Sequence, residues 1–402
     1  MNIAIIGAGA AGFFAAITVK ENYPKANVVI FEKSKKVLTK VKISGGGRCN
    51  LSHKTETIKE LALAYPRGER QLRKVFGTFS NNDAMQWFED RGVAVITQDD
   101  GCVFPVSQKS QTIIDCFLNE AQKLQISIQT EMPVQSITPI DAKLQLSFSN
   151  DKTELYDKVI VATGGSPKLE GLNWLSDIGH SIVDPVPSLF TFNMPDESIT
   201  ELMGIVVENA ILSIQGTKLK SAGALLLTHW GMSGPAVLKS SSFGARLLNE
   251  KEYKFAVQVN WINETNQDVV RIEINKIINT HPIKKLVSIK PFALPTRLWK
   301  FLIDKMEFPA DKTWNEIGKK GINRIVTVLT NDLYKANGKT TFKEEFVTAG
   351  GVSLKDVNFK TMQSKVVENL YFAGEVLDVD GITGGYNLQA AWSTGYLAGL
   401  LK

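Results

Sequence analysis

The residues with the plainest chemical use stand at the start of the 402-residue chain. Gly7-Ala8-Gly9-Ala10-Ala11-Gly12 follows the apolar run Ile3-Ala4-Ile5-Ile6 without a break. Glycines at this spacing suit a phosphate. Gly7 permits a tight turn off a strand, Gly9 removes the side chain that would block a pyrophosphate, and Gly12 lets a following helix lie close on a sheet. The pyrophosphate then rests on the free N–H groups at the start of that helix, near Ala10. A second apolar run, Val28-Val29-Ile30-Phe31, ends at Glu32. An acid about twenty residues beyond the turn accepts hydrogen bonds from ribose hydroxyls and disfavours a 2′-phosphate, so the expected dinucleotide is FAD or NAD rather than NADP. An Ala/Gly-rich turn in an ordinary parallel sheet is the competing reading.

Two further stretches have the same character. Ser44-Gly45-Gly46-Gly47-Arg48-Cys49-Asn50 cannot be helix or strand interior. Its backbone N–H groups, with Arg48 balancing charge, suit a flavin edge or a phosphate, and the alternative is a flexible linker. Leu370-Tyr371-Phe372-Ala373 reads as a strand followed by Gly374-Glu375, and Gly384-Gly385-Tyr386-Asn387 leads into a small-residue helix over 388–401. Glu375 is placed to take a ribityl hydroxyl, and the helix start to stabilise the negative charge of a reduced flavin. Hydride addition to a C=C bond needs a proton donor. The Cys49 thiol is one candidate for it, with His229 or water as alternatives.

What is missing narrows the chemistry. Cys49, Cys102 and Cys116 form no CxxC pair, so a dithiol relay is not expected and a reducing, cytoplasmic setting is. His53, His180, His229 and His281 lie singly, without the spacing of a metal site, so no metal is expected. No apolar run approaches the length of a membrane span, so no membrane partner is expected. A second GxGxxG is absent, so NAD(P)H is expected as a transient reductant rather than a resident of its own domain. The net charge of +5 is mild and fits a solvated, lysine-rich surface. Within it Lys284, Lys285, Lys290, Arg297 and Lys300 lie among Phe292, Trp299 and Phe301, a pattern that either grips nucleic acid or makes the two faces of an amphipathic helix.

The elements that must position these groups follow the α/β order. A hydrophobic fraction of 44% and a length of 402 residues predict a large core and two or three domains. Residues 80–91 read as a helix capped by Ser80 or Asn81, and 111–124 as another. Strands are expected at 93–97, in a meander over 134–138, 143–148 and 153–156, and in the apolar run 158–163 that ends at Thr163-Gly164-Gly165. From about Ser188 the texture becomes strand-rich, at 205–214, 224–228 and 253–259, then helical over 286–305 and 314–334. His229-Trp230-Gly231-Met232-Ser233-Gly234-Pro235 stands out as a rigid turn, with His229 and Ser233 as candidates for facing substrate.

These motifs, with Thr348-Ala349-Gly350-Gly351-Val352, resemble the set found in the BaiN/RdsA-like FAD-dependent oxidoreductases, and the likeness covers the whole chain. The resemblance implies a bacterial enzyme with non-covalent FAD and a glutathione-reductase-like Rossmann FAD domain, discontinuous in sequence. Residues 1–187 and 347–402 would form that domain, and 188–346 an inserted substrate lobe, a β-barrel with a small helical domain over about 263–338. It implies reduction of a C=C bond, in a small enone or in uridine of a structured ribosomal RNA. An oxidase of small amines and a non-catalytic FAD sensor are the readings from other classes. The expected cofactor-binding residues are Gly7, Gly9, Ala11, Gly12, Glu32, Lys33, Gly45, Gly46, Gly47, Arg48, Val134, Thr163, Gly164, Gly374, Glu375, Gly384, Gly385, Asn387 and Leu388. Cys49 and His229 are the catalytic candidates. Cys102 stands where the family pattern leads one to expect arginine.

Overall fold

The computed structural model describes residues 1–341 and 347–402, so the expected domain boundary at 346 lies outside the described residues. Two compact units are present, Met1–Ser188 with the described part of Phe342–Lys402, and Leu189–Thr341. Each encloses its own apolar core.

The first unit is built on a parallel sheet. Its central strand, Asn2–Ile6, lies between Asn27–Phe31 and Lys158–Val161, with Ser127–Gln129 and Leu370–Phe372 outside them. Ile3, Ile5, Ile30 and Ile160 are wholly buried, as strands covered on both faces require. Two short antiparallel strands, Val357–Asn358 and Gln363–Ser364, extend the edge beyond Leu370–Phe372. The expected meander forms a separate sheet of Val134–Ile140, Lys143–Phe148 and Thr153–Tyr156.

Two helices against this sheet carry the site. In Ala10–Asn22 every residue from Ala11 to Val19 is buried, so it is apolar on all sides, like a helix enclosed between sheet and neighbours. One neighbour is Tyr386–Gly399, and small residues let the two approach. A Cβ on Gly395 would lie 2.7 Å from the Ala11 carbonyl oxygen, and one on Gly399 would lie 2.6 Å from Thr18 Cβ. Contacts that advance together along both chains mean that the helices run parallel. An aromatic cluster locks them to the helices Asn81–Glu89 and Ser110–Lys123, with the Phe14 ring 4.5 Å from Trp87 and 5.8 Å from Trp392. Phe117 packs on both tryptophans. Ser80 is the cap of the first of these, in a reciprocal box with Asp83.

The second unit holds a seven-stranded antiparallel sheet whose longest strands are Val206–Ile214 and Lys220–Thr228. Two sequence expectations fail here, and one helix was missed. The helix expected over 286–305 is confined to Thr296–Lys305, because Pro291 and Pro295 break the segment before it. The helix expected over 314–334 is Gly318–Asn331, and the chain then becomes the strand Asp332–Asn337, whose burial alternates residue by residue. Pro235–Glu250, the longest helix described in this unit, was not expected at all; Pro235 opens it at the position where a missing N–H costs nothing.

Candidate functional site

The N-terminal turn is shaped by backbone contact. Gly7 has φ +110°, and a Cβ there would sit 2.4 Å from the Ala162 carbonyl oxygen. A Cβ on Gly12 would sit 1.9 Å from the Gly7 carbonyl oxygen, so the helix start is folded directly onto the turn. Gly9 differs: it is the helix N-cap, no side chain caps the first turn, and an added Cβ meets nothing within 4 Å. Glu32 Oε2 accepts the Ala8 N–H at 3.0 Å, and Oε1 accepts from the Ser34 N–H and hydroxyl. These bonds aim its carboxylate along the turn.

The C-terminal helix also starts uncapped, at Gly385, with no acid in its first turn. Gly395 lies level with Ala11, and Tyr386–Gly399 begins nine residues before Gly395, so its start lies roughly 12 Å beyond that of Ala10–Asn22. Two parallel helix starts, staggered by that length and both lacking side-chain caps, fit an extended dinucleotide with its pyrophosphate on one and its flavin on the other. Glu375 lies between the two glycine turns in sequence and is already oriented: Oε1 accepts the Thr348 N–H at 2.9 Å and Oε2 pairs with Lys40 at 2.7 Å. Thr348 Oγ1 is buried with no partner in the protein, 2.8 Å from where a Cβ on Gly165 would lie. This orphaned hydroxyl beside a glycine and a fixed carboxylate suits a polyhydroxylated chain.

The triple-glycine stretch meets the C-terminal helix start. A Cβ on Gly385 would lie 2.4 Å from the Ser52 carbonyl oxygen and 2.7 Å from the Asn50 side-chain amide. Asn387 locks the same turn by accepting the Gly381 N–H and donating to its carbonyl. Gly45 is packed against Asn50 and Phe104, whereas Gly46 and Gly47 face open space in left-handed conformations. Arg48 is exposed, its guanidinium 4.2 Å above the Phe104 ring. Cys49 points inward instead. It is wholly buried, and burial pushes its thiol up to about 12, with Ser44 the nearest hydrogen-bond partner. A thiol enclosed in core has no route to a substrate, which argues against Cys49 as proton donor.

The remaining expected residues are spread around this cradle. Lys33 and Thr163 are exposed and Gly164 half-buried. A hydrogen bond from the Met132 N–H to the Glu32 carbonyl brings the strand of Val134 to the same end of the sheet. Ala11 lies against Gly374, and Leu388 is half-buried in the first turn of the C-terminal helix. His229 belongs to the second unit, exposed, with its ring edge-on to Trp230; Ser233 ends the short strand Gly231–Ser233 there. Sequence reading overlooked Lys40, Thr348 as a side chain, and His53, whose Nδ1 lies 3.0 Å from the Gly384 carbonyl and whose ring stacks on Tyr386. Only the run of lysines around Lys40 offered a signal. Cys102 pairs with His53 across the strands Ser52–His53 and Cys102–Pro105, and burial, with nearby Asp100, pushes its thiol up to about 11 despite Asn50 and Arg48.

Among the described residues no group of three His, Cys, Asp or Glu is placed to hold a metal, and no helix is long and apolar enough to cross a membrane. The basic segment of the second unit turns out to be the two faces of a helix and its lead-in. Trp299 is fully buried, donates to the Leu286 carbonyl and stacks on Trp314, so it offers no ring to a base.

The HI0933-like protein Rossmann domain matches residues 1–401. The chain is 30% identical to a ribosomal RNA dihydrouridine synthase of Haemophilus influenzae, over 98% of this chain and 97% of that one. It is 28% identical to a 3-dehydro-bile acid delta(4,6)-reductase of Clostridium scindens, over 99% and 98%. In fold it is similar to a 3-ketosteroid-delta4-(5alpha)-dehydrogenase from Rhodococcus jostii, with a TM-score of 0.53 at 13% identity, over 100% of this chain and 96% of that one. The first unit is thus an α/β Rossmann-type FAD-binding fold.

Proposed function

The chain belongs to the HI0933-like Rossmann family and is an oxidoreductase, and we propose that it is an FAD enzyme that adds hydrogen across an electron-poor C=C bond, its substrate being uridine in ribosomal RNA. The observation that carries the cofactor half of this reading is the pair of parallel, uncapped helix starts flanked by Glu32 and Glu375. FAD, bound without a covalent link, supplies hydride transfer between NAD(P)H and the substrate. The chain's own residues do the rest. Glu32 holds a ribose, the N–H groups after Gly9 hold the pyrophosphate, and the Gly385 helix start favours negative charge in front of it. Gly46, Gly47 and Arg48, exposed on the triple-glycine turn, would edge the flavin.

Conversion of uracil to its dihydro form places a hydride on C6 and a proton on C5. With Cys49 enclosed, water and the exposed imidazole of His229 remain as the donor candidates in this reading. The second unit is read as a barrel-like lobe with a helical subdomain; its antiparallel sheet and the helices Gln267–Thr280, Thr296–Lys305 and Gly318–Asn331 support this. A second reading, a small enone as substrate, is favoured by the similarity to the bile acid reductase.

Mass spectrometry of nucleosides from ribosomal RNA of a strain lacking the gene decides between them. Loss of a dihydrouridine that returns on complementation is expected, together with a yellow purified protein bleached anaerobically by NADH or NADPH. Unchanged ribosomal RNA, with reoxidation of the reduced protein by a cyclic enone, would replace the first reading with the second. Rapid reoxidation by oxygen alone, with an amine as reductant, would mark an oxidase, and a flavin that no reductant bleaches would mark a sensor.

A further inference from the structure

The first unit carries a groove that the redox site does not use. It has a volume of about 280 Å³ and is lined by Arg70 and Lys74 on one side and by Lys355, Asn358, Phe359 and Lys365 on the other. Arg70 and Lys74 stand four residues apart on the helix Glu69–Phe76 and so share a face. The opposite wall is the turn Leu354–Asp356 and the two edge strands that extend the parallel sheet. All four cations are exposed, and among the described residues none has an acidic partner.

The acids on the lining elements form no ion pair with these cations among the described residues. Asp356, the acid within the lining turn, is committed to the Ser181 N–H at 2.7 Å. Glu69 sits in the first turn of the helix, where it serves the dipole. Lys365 Nζ donates to the Lys355 carbonyl at 2.8 Å, which holds the two lysines of that wall together. Like charges gathered this closely cost stability unless something neutralises them.

We propose that this groove is a docking site for the phosphate backbone of RNA. It rests on the reading of the protein as an RNA-modifying enzyme, and it adds the surface that would hold the polymer. Two features favour a polymer backbone over a single phosphate group. Gly68, which precedes the nearby helix, is not among the lining residues, and Glu69 puts an acid in that helix's first turn, which disfavours a lone phosphate seated there. The four cations instead come from two separate segments. Phe359 is almost fully buried and offers no face for stacking, so the groove would read charge and spacing rather than bases.

The test uses the FAD-loaded protein and a short fluorescein-labelled RNA stem-loop, with binding followed by anisotropy over a salt series. Lys74→Glu, Lys355→Glu and Lys365→Glu combined should weaken binding at least about tenfold and reduce the slope of log K against log salt by roughly 2, as expected when about three phosphate contacts are lost. FAD content and reduction of the flavin by NAD(P)H should stay at wild-type values, and the melting temperature should not fall. Unchanged RNA affinity and slope in the triple variant would overturn the proposal, as would wild-type protein that binds no RNA. A raised KM for NADPH without a change in RNA binding would also overturn it, by making the groove a nucleotide site. The two readings fail separately: salt-sensitive RNA binding through the groove in a protein that leaves ribosomal RNA unmodified would keep this inference and sink the proposed reaction.

Discussion

The N-terminal turn and the triple-glycine turn look alike as strings of glycine, but they use glycine for different ends. In the first, Gly7 and Gly12 are where they are because protein backbone occupies the place of a side chain, while Gly9 alone faces open space. In the second the proportion reverses, with Gly45 packed against Asn50 and Phe104 while Gly46 and Gly47 face nothing within 4 Å. A glycine crowded by backbone serves the fold, and one with room to spare serves whatever comes to fill it. The first turn is therefore mostly architecture with one opening, and the second mostly opening with one anchor.

The comparison breaks most severely at Gly12. Gly12→Val places a side chain where the Gly7 carbonyl oxygen lies, 1.9 Å from the new Cβ, and neither partner can yield because one is strand end and the other helix start. A loss of more than about 4 kcal/mol is expected, enough to leave most of the protein insoluble. Soluble, cooperatively melting Gly12→Val protein would show that the turn relaxes and that the crowding argument is wrong.

Gly9→Val should separate ligand from fold. With space around the site, the variant is expected to fold and to melt cooperatively in the apo form much as the wild type does, but to be purified nearly colourless. Glu32→Ala should lower FAD occupancy less, since it removes the ribose acceptor and leaves the pyrophosphate seat. Titration with FAD, followed by flavin fluorescence, measures both. Full occupancy in Gly9→Val would move the pyrophosphate away from this helix start.

How legible these regions were follows from the same distinction. The strand, turn, helix and acid of residues 3–32 could be read at once, because backbone crowding restricts Gly7 and Gly12 to one residue type and burial restricts Ile3 to Ile6 to a few. The meander could be read because alternation and turn residues are local. What could not be read depends on tertiary partners: the Lys40–Glu375 pair spans 335 residues, and His53 meets Gly384 across 331. The strand Asp332–Asn337 was hidden because the apolar period of the helix before it runs into it, and its Asp332 is buried through bonds to Trp261 and Lys305 that no local pattern announces. Cys49 misled for a related reason. Gly47 and Arg48 before it are exposed, and only the packed structure shows that the chain turns it in.

The smallest effect is expected at Cys49, and it sharpens the contrast between a turn's rim and its underside. Alanine keeps the Cβ and removes one buried sulfur, which should cost about 1 kcal/mol of stability. With its thiol pushed up to about 12 by burial, Cys49 stays protonated across the working range and behaves as packing rather than as an acid poised to give up its proton. In stopped-flow measurements, Cys49→Ala should therefore be reduced by NAD(P)H and reoxidised by substrate at rates within about twofold of wild type, and reoxidation should show no inflection near pH 8 or 9 that the variant abolishes. Iodoacetamide should leave Cys49 unlabelled in the folded protein while half-buried Cys102 reacts slowly. Reoxidation slowed on the order of a hundredfold, with reduction unchanged, would mean that the turn opens during the reaction and presents this thiol after all. In that event the proton would come from beneath the glycine turn.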